Sequence, residues 1–337
     1  MIIPFHVTEM LKRVRVRFNE ATLSRQMTPD DAPTAQLRPV RTASPKSVQR
    51  FWSQLLKAKA SETDQNALAD DASVELAETY SRNIENYIGT VKVPVGVIGP
   101  MRINGLNAAG DFHVPMATTE AALVASYARG AAVASKAGGI NTAVLYEGVM
   151  RTPAFRFSSV VNAGLFVEWV VGNVDRLKAV AESTTRHGKL ISLEPIIDNN
   201  MVFLICRYTT GDASGQNMVT IATNAMGEAI ANECPVEIER WYIEGNFSGD
   251  KKASFLGMVT GRGRKVSASV TLPSALVQSM LGTSVDEMLA YGKVANLGAL
   301  LSGQMGAQAH YANGLAALYI ATGQDAACVS ESAVGFT

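Results

Sequence analysis

Residues 154–243 constrain the fold most, because their apolar residues switch repeatedly between strand spacing and helix spacing. Residues 154–159 alternate, and residues 163–185 repeat at helical intervals and stop at His187-Gly188. Residues 189–197 and 202–208 are β-rich runs joined by the polar turn Asp198-Asn199-Asn200. Residues 215–233 are helical again, and residues 239–243 form a last strand. The order β-α-β-β-α-β is that of a split βαβ, or ferredoxin-like, unit.

This unit accounts for only part of the chain. A length of 337 residues exceeds what one core usually organises, and a 47% hydrophobic fraction supplies a large interior. Residues 1–90 read as a helical N-terminal region, with helices over 47–60 and 72–87 and a break over 61–71. Residues 27–46, rich in Pro, Thr, Ala and Asp, read as a loosely packed loop. Residues 91–100 (VKVPVGVIGP) predict a buried edge strand followed by a tight turn. Residues 120–137 predict a helix capped by Thr118 or Thr119 and ended by Gly138-Gly139. Strands are expected over 141–146 and 262–272, then mostly helix. The reading is an α+β protein in which residues 91–152 and 244–337 form a large domain interrupted by a small one at 153–243.

Composition narrows the function. Lys+Arg and Asp+Glu both number 30, so no net charge draws the chain to nucleic acid or an anionic membrane. Cys206, Cys234 and Cys328 are odd in number and widely spaced, with no C-x-x-C pair. That argues against a disulfide framework or a metal site and suits a reducing compartment. The start is short and quickly basic at Lys12, Arg13 and Arg15, and no later stretch is long and uncharged enough to span a bilayer. The expectation is a soluble, cytoplasmic protein.

Four segments hold residues suited to chemistry, each with two readings. In PMATTEAALVASYARG (115–130), Glu120 is either matched to the dipole at a helix start or a general acid whose pKa burial has raised. TTGDASGQN (209–217) joins a strand to a helix. It is either an ordinary turn capped by Asp212 or Ser214, or a phosphate-binding helix N-terminus approached through Gly211 and Gly215. It lacks the G-x-G-x-x-G fingerprint. EGNFSGDKK (244–252) is either a solvated charged turn or a glycine-framed loop whose lysines hold a carboxylate and stabilise an oxyanion. In residues 308–327, His310, Asn313 and Asp325 interrupt an apolar run, either as satisfied core polar groups or as site residues.

Taken together, ENYIGTVKVPVGVIGP, PMATTEAALVASYARG, GDASGQNM, EGNFSGDKK and GQDAA follow the order and approximate spacing of one family. From about Arg82 to the last residue the chain resembles the 3-hydroxy-3-methylglutaryl-CoA (HMG-CoA) reductases. DKK and GQDAA are similar to the eukaryotic-type, NADPH-using class. The resemblance implies reduction of HMG-CoA to mevalonate and free CoA by two hydride transfers from NADPH. It implies a ferredoxin-like cofactor domain inserted into a larger domain built around a long central helix, and a homodimer or homotetramer with sites between subunits.

Carried over by motif, Glu120 resembles the proton-donating glutamate, Lys251 the lysine that stabilises the reacting carbonyl oxygen, and Asp325 the aspartate that links and tunes both. Arg151, Asp250, Lys252, Lys293 and Asn246 match substrate-binding positions. Ser126, Arg129, His310 and Asn313 fall where relatives meet CoA or the substrate's carbonyl region. Asp212, Ser214, Gly215, Gln216 and Asn217 match the cofactor loop. Glu244 departs from the pattern, standing where many animal enzymes carry Ser. The sequence holds no membrane-anchor region. It also ends twelve residues beyond Asp325, before the family's tail histidine that protonates the departing thiolate. The alternatives are therefore an impaired homologue that binds without full turnover, and a non-redox acyl-CoA enzyme; the GDASGQN loop favours redox chemistry over the latter.

Overall fold

The computed structural model describes residues 4–17, 22, 25, 28, 29, 39, 40, 42–58 and 60–337. Most of the predicted loop over 27–46 lies outside the described residues. The chain divides into two compact units, Met1–Lys92 and Val93–Thr337.

The first unit contains α1 (Phe5–Arg17), α2 (Pro45–Lys57), α3 (Glu62–Leu68) and α4 (Asp71–Glu75). α2 starts where it does because Ser44 and Ser47 form a reciprocal capping box with Pro45 in the first turn. It buries Val48, Phe51 and Trp52, and Trp52 Nε1 donates to the Ile88 carbonyl at 2.8 Å. The helix predicted to reach residue 87 is shorter: after α4 comes the 3-10 turn Ala77–Tyr80. Beyond it the chain folds back, and Tyr87 donates to the Ser73 carbonyl at 2.9 Å.

The second unit begins with β1 (Val95–Gly105), β2 (Ala109–Ala117), α5 (Leu123–Lys136) and β3 (Ile140–Arg151). β1 pairs antiparallel with β2, and its end pairs parallel with β3. The segment expected to be a buried edge strand ending in a turn at residue 100 is different. Pairing continues past Pro100, β1 lies between two strands, and Val95 and Val97 are exposed. α5 starts at Leu123 rather than at residue 120, because Ala122 takes a left-handed conformation (φ 66°) that a helix cannot include.

The predicted β-α-β-β-α-β unit is present as β4 (Ala154–Arg156), α6 (Val160–Gly172), α7 (Val174–Ser183), β5 (Lys189–Asp198), β6 (Met201–Thr209), α8 (Gln216–Glu233) and β7 (Arg240–Tyr242). One predicted helix is two, because Gly172 is a poor helix former and the Asn173 side-chain Nδ2 donates to the Trp169 carbonyl at 2.8 Å. The antiparallel sheet order is β5-β6-β4-β7. β6 also pairs with the end of β3, at Val149–Arg151, so the sheet continues from this unit into the rest.

Ala163, Phe166 and Val170 of α6, and Val219, Ala222, Met226 and Ile230 of α8, recur at helical intervals and are buried with Phe155, Phe157 and Leu204. The Phe166 ring lies 4.9 Å from Phe155 and 4.8 Å from Phe157, a distance at which aromatic pairs add to area burial.

The remaining elements are α9 (Phe255–Thr260), β8 (Gly263–Ser269), the short turns Ser274–Leu276 and Val277–Leu281, α10 (Val285–Ser302), β9 (Gly306–Ala307), α11 (Tyr311–Ala321), α12 (Val329–Ser332) and β10 (Gly335–Phe336). β8 pairs antiparallel with β3 and is shorter than the predicted 262–272. No described helix is long and apolar enough to cross a membrane.

Gly227 of α8 is buried, and a Cβ there would lie 2.5 Å from the Trp241 ring of the final strand region. Gly227→Ala is therefore expected to destabilise the protein by about 1–2 kcal/mol, because overpacking outweighs the gain in helix propensity. Chemical denaturation would read this as a lower midpoint; an unchanged or raised midpoint would show that the helix does not sit as close to Trp241.

Candidate active site

The loop 244–252 is organised by its own charges. Glu244 turns back on it: Oε1 accepts from the Phe247 and Ser248 amides at 3.2 and 3.3 Å, and Oε2 accepts from the Thr152 amide at 3.4 Å. Its acid group does the work of a turn-builder, which is how this chain accommodates Glu at that position.

Asp250 lies between two guanidinium groups. Arg151, at the end of β3, donates to Asp250 Oδ2 at 2.8 Å, and Arg262 NH2 stands 3.1 Å from Oδ1, too poorly aligned for a hydrogen bond. Burial alone would raise the Asp250 carboxyl, but the Arg151 hydrogen bond and the charges of Arg262 and Arg151 outweigh it and hold the carboxyl below its ordinary range. Arg151 also donates to Thr220 Oγ1 at 2.8 Å, and Thr220 bonds the Gln216 carbonyl at 2.7 Å. Loop 244–252 is thereby connected to the start of α8.

Lys251 follows in a left-handed conformation (φ 56°). That strain costs about 1–2 kcal/mol for a residue with a Cβ. Its amide donates to Glu331 Oε2 at 2.8 Å. A hydrogen bond to a charged group contributes about 1.5–3 kcal/mol, enough to offset the strain. The ammonium meets Asp325 Oδ2 at 2.7 Å. Asp325 also accepts from the Ala327 amide at 2.9 Å as the cap of the turn after α11.

The pairing shifts both groups apart. The Asp325 hydrogen bond and charge raise the Lys251 ammonium above its ordinary value, and the Lys251 hydrogen bond, helped by the Ala327 amide, holds Asp325 below the usual carboxylate range. Both side chains are about half exposed, so the pair is fixed in place yet open to a ligand. Lys252 Nζ turns back to the Asp250 carbonyl at 2.9 Å. Asn246 is exposed in the same loop, with φ 60°.

Glu120 lies elsewhere among these contacts. It is exposed, in the turn before α5, and so is neither buried nor in a helix's first turn, the two placements that the sequence readings invoked. Asn313 Nδ2 donates to Glu120 Oε1 at 3.4 Å. Tyr127 of α5 donates to the His310 carbonyl at 2.9 Å, which joins α5 to the start of α11. Ser126 and Arg129 are exposed beside Tyr127, and His310 is the exposed N-cap residue before α11, at φ 24°. Of the polar residues expected to interrupt a buried run, only Asn313 is partly buried; His310 and Asp325 are exposed. Among the described residues no hydrogen bond or ion pair joins Glu120 to Lys251 or Asp325. Lys293 is exposed on α10.

At the strand-to-helix turn, neither Asp212 nor Ser214 caps α8. Gly215 stands at the N-cap in a left-handed conformation, and among the described residues no side chain caps the helix. Among the described residues the buried Gln216 Oε1 has no hydrogen-bond partner. Asp212, Ser214 and Asn217 are exposed around this turn. Free amides at the start of an 18-residue helix suit an anionic ligand. Among the described residues no group of His, Cys, Asp and Glu is arranged to hold a metal ion.

Two site residues escape a reading of the sequence. Arg262 reads as the start of a strand, and Glu331 lies beyond the last motif. The one available signal is the frame Gly261-Arg262-Gly263, whose glycines take φ 84° and 75°.

The fold is α+β with a ferredoxin-like unit, and the loop that carries the paired Lys251 is linked through Asp250, Arg151 and Thr220 to the uncapped start of α8. The hydroxymethylglutaryl-coenzyme A reductase family model matches residues 49–337, and the chain belongs to that family. It is 42% identical over 267 residues to the 3-hydroxy-3-methylglutaryl-coenzyme A reductase of Methanothermobacter thermautotrophicus, covering 79% of this chain and 67% of that one. The enzyme of the same name from the sea urchin Strongylocentrotus purpuratus is 39% identical over 247 residues, covering 72% of this chain and 26% of that one. The chain thus spans about two thirds of the archaeal relative's length. A class II reductase from Streptococcus pneumoniae bound to NADPH, in open conformations, shares the fold: its TM-score is 0.57 at 21% identity, over 82% of this chain and 72% of that one.

Asp250→Asn would leave Arg151 and Arg262 short of a counter-charge and is expected to destabilise the protein by about 2 kcal/mol, less than for a fully buried pair because Asp250 is partly exposed. The folded-state pKa is depressed, so this contribution is complete above the unfolded carboxylate value of about 3.9 and lost as pH falls through the lower folded value. Denaturant midpoints of the two proteins should differ at neutral pH and converge below about pH 4. A gap that persists or widens in acid would contradict the charge assignment.

Proposed function

We propose that this protein reduces HMG-CoA to mevalonate and free CoA, using two hydrides from NADPH. The observation that carries the reading is the Lys251–Asp325 pair, whose lysine lies on a loop tied through Asp250, Arg151 and Thr220 to the start of α8. A cation for the reacting oxygen and an anion-binding helix end then belong to one connected framework.

Asp212, Ser214, Gly215, Gln216 and Asn217 would hold NADPH, whose nicotinamide supplies hydride when bound. Hydride addition to the thioester carbonyl places negative charge on oxygen. Lys251 stabilises that charge as a hydrogen-bond donor, a preorganised interaction made strongest when the charge has formed. The resulting hemithioacetal breaks its carbon–sulfur bond to give mevaldehyde and the CoA thiolate, which takes up a proton. A hydride from a second NADPH would convert mevaldehyde to the alkoxide of mevalonate, which is protonated in turn. Glu120 is the proton donor in this scheme, and Asp325 keeps Lys251 charged.

Arg151, Asp250, Lys252, Lys293 and Asn246 are assigned to the substrate's carboxylate and hydroxyl, and Ser126, Arg129, His310 and Asn313 to CoA. Arg129 suits a phosphate. Residues 153–243 are assigned as the small NADP-binding domain within a large one of 91–152 and 244–337. Association into a homo-oligomer is supported by α10, where Leu289, Tyr291, Val294, Leu297, Leu300 and Leu301 are all exposed. The free thiols of Cys206, Cys234 and Cys328 support a cytoplasmic location.

Purified protein should consume NADPH when given HMG-CoA or mevaldehyde, followed by absorbance at the nicotinamide band. Lys251→Ala should lower that rate by about 10²–10³-fold with the fold intact, the scale of losing one oxyanion donor. A folded wild-type protein that consumes no NADPH with either substrate would overturn the reading, and so would full turnover by Lys251→Ala.

A further inference from the structure

Where the Lys251 ammonium stands is set by the backbone of its loop, and two side chains outside the sequence motifs grip that backbone. We propose that Glu331 and Arg262 are positioning residues for Lys251, fixing the left-handed conformation that carries its ammonium to Asp325. The catalytic part of this proposal rests on the reductase reading; the geometric part does not.

Glu331 is buried to 10% side-chain exposure, and its Oε2 accepts from both the Lys251 amide, at 2.8 Å, and Arg262 Nε. Arg262 is buried to 2% and donates to the carbonyls of Met150 at 3.0 Å and Ser248 at 3.3 Å while facing Asp250. One guanidinium therefore ties the end of β3, the middle of the loop and the segment after α11 together. Glu331 and Asp325 lie on that same segment, so it meets Lys251 twice: once at the amide and once at the ammonium. Releasing the amide lets a strained residue relax toward ordinary φ values and swings its side chain away from Asp325.

A simpler role would make Glu331 only a counter-charge for a buried arginine. Arg262 already faces Asp250, and a bare counter-charge does not require the bond to the Lys251 amide. The two roles separate in Glu331→Asp, which keeps the charge and withdraws the oxygen by one methylene.

The groups facing Lys251 are Asp325, Asp250, Glu331 and Cys328. Reactivity of the Lys251 amine toward acetic anhydride, followed against pH by peptide mass spectrometry on the ligand-free protein, reads its link to Asp325 without any reductase assay. In Glu331→Asp the alkaline midpoint should fall and labelling at pH 8 should rise, up to about tenfold for each pH unit of midpoint lost. NADPH oxidation with HMG-CoA should lose about tenfold in kcat with KM nearly unchanged, the pattern of an interaction made mainly in the transition state. Glu331→Gln, which keeps an oxygen for the amide, should recover most of both. Wild-type labelling in folded Glu331→Asp would overturn the proposal, as would equal defects in Glu331→Asp and Glu331→Gln. If the wild-type protein shows no reductase activity at all, the functional reading fails and the labelling still decides the positioning.

Discussion

Asp250 held between Arg151 and Arg262 is the constraint from which the rest of the site follows. The three charges come from the end of β3, the loop 244–252 and the residue before β8, so their pairing fixes three parts of the chain at one point. Burying a carboxylate is unfavourable unless its lone pairs and charge are met, and here two cations meet it. The loop cannot relax without exposing one guanidinium or leaving the other unpaired. Everything that Lys251 does depends on that rigidity, because its own conformation is strained.

The chemistry then divides by exposure. Arg262 and Glu331 are withdrawn from solvent and, with the partly exposed Asp250, build the frame, whereas Lys251 and Asp325 stand about half exposed at its surface. A group meant to meet a reacting oxygen has to be reachable, and a group meant to fix its position does not. Cys328 belongs to the same neighbourhood. Burial, together with Glu331 and Asp325, pushes its thiol up to about 11, so it remains protonated there at neutral pH.

Much of this architecture was legible in residue order. The β-α-β-β-α-β unit shows because its strands alternate and its helices repeat cleanly, and short-range periodicity is what sequence records best. The break at Asn173 is hidden in the sequence because the apolar spacing runs straight through it, while the competing side-chain bond is local. The start of α5 lies beyond its predicted position because Ala122, a strong helix former, takes a left-handed conformation that nothing in its identity signals. The lysine, aspartate and Asp250 stood out because loops rich in Gly and charge are unusual. Arg262 and Glu331 did not, because their roles exist only once segments 69 residues apart meet.

The claim at the centre is that Lys251 and Asp325 act in reduction as one unit. A double-mutant cycle on kcat/KM for NADPH oxidation with HMG-CoA, using Lys251→Met, Asp325→Asn and both together, tests it most directly. Side chains that act as one unit give losses that do not add, so the double variant should be hardly slower than the worse single one. Losses that multiply would mean that the two residues contribute independently, and the paired site described here would be wrong.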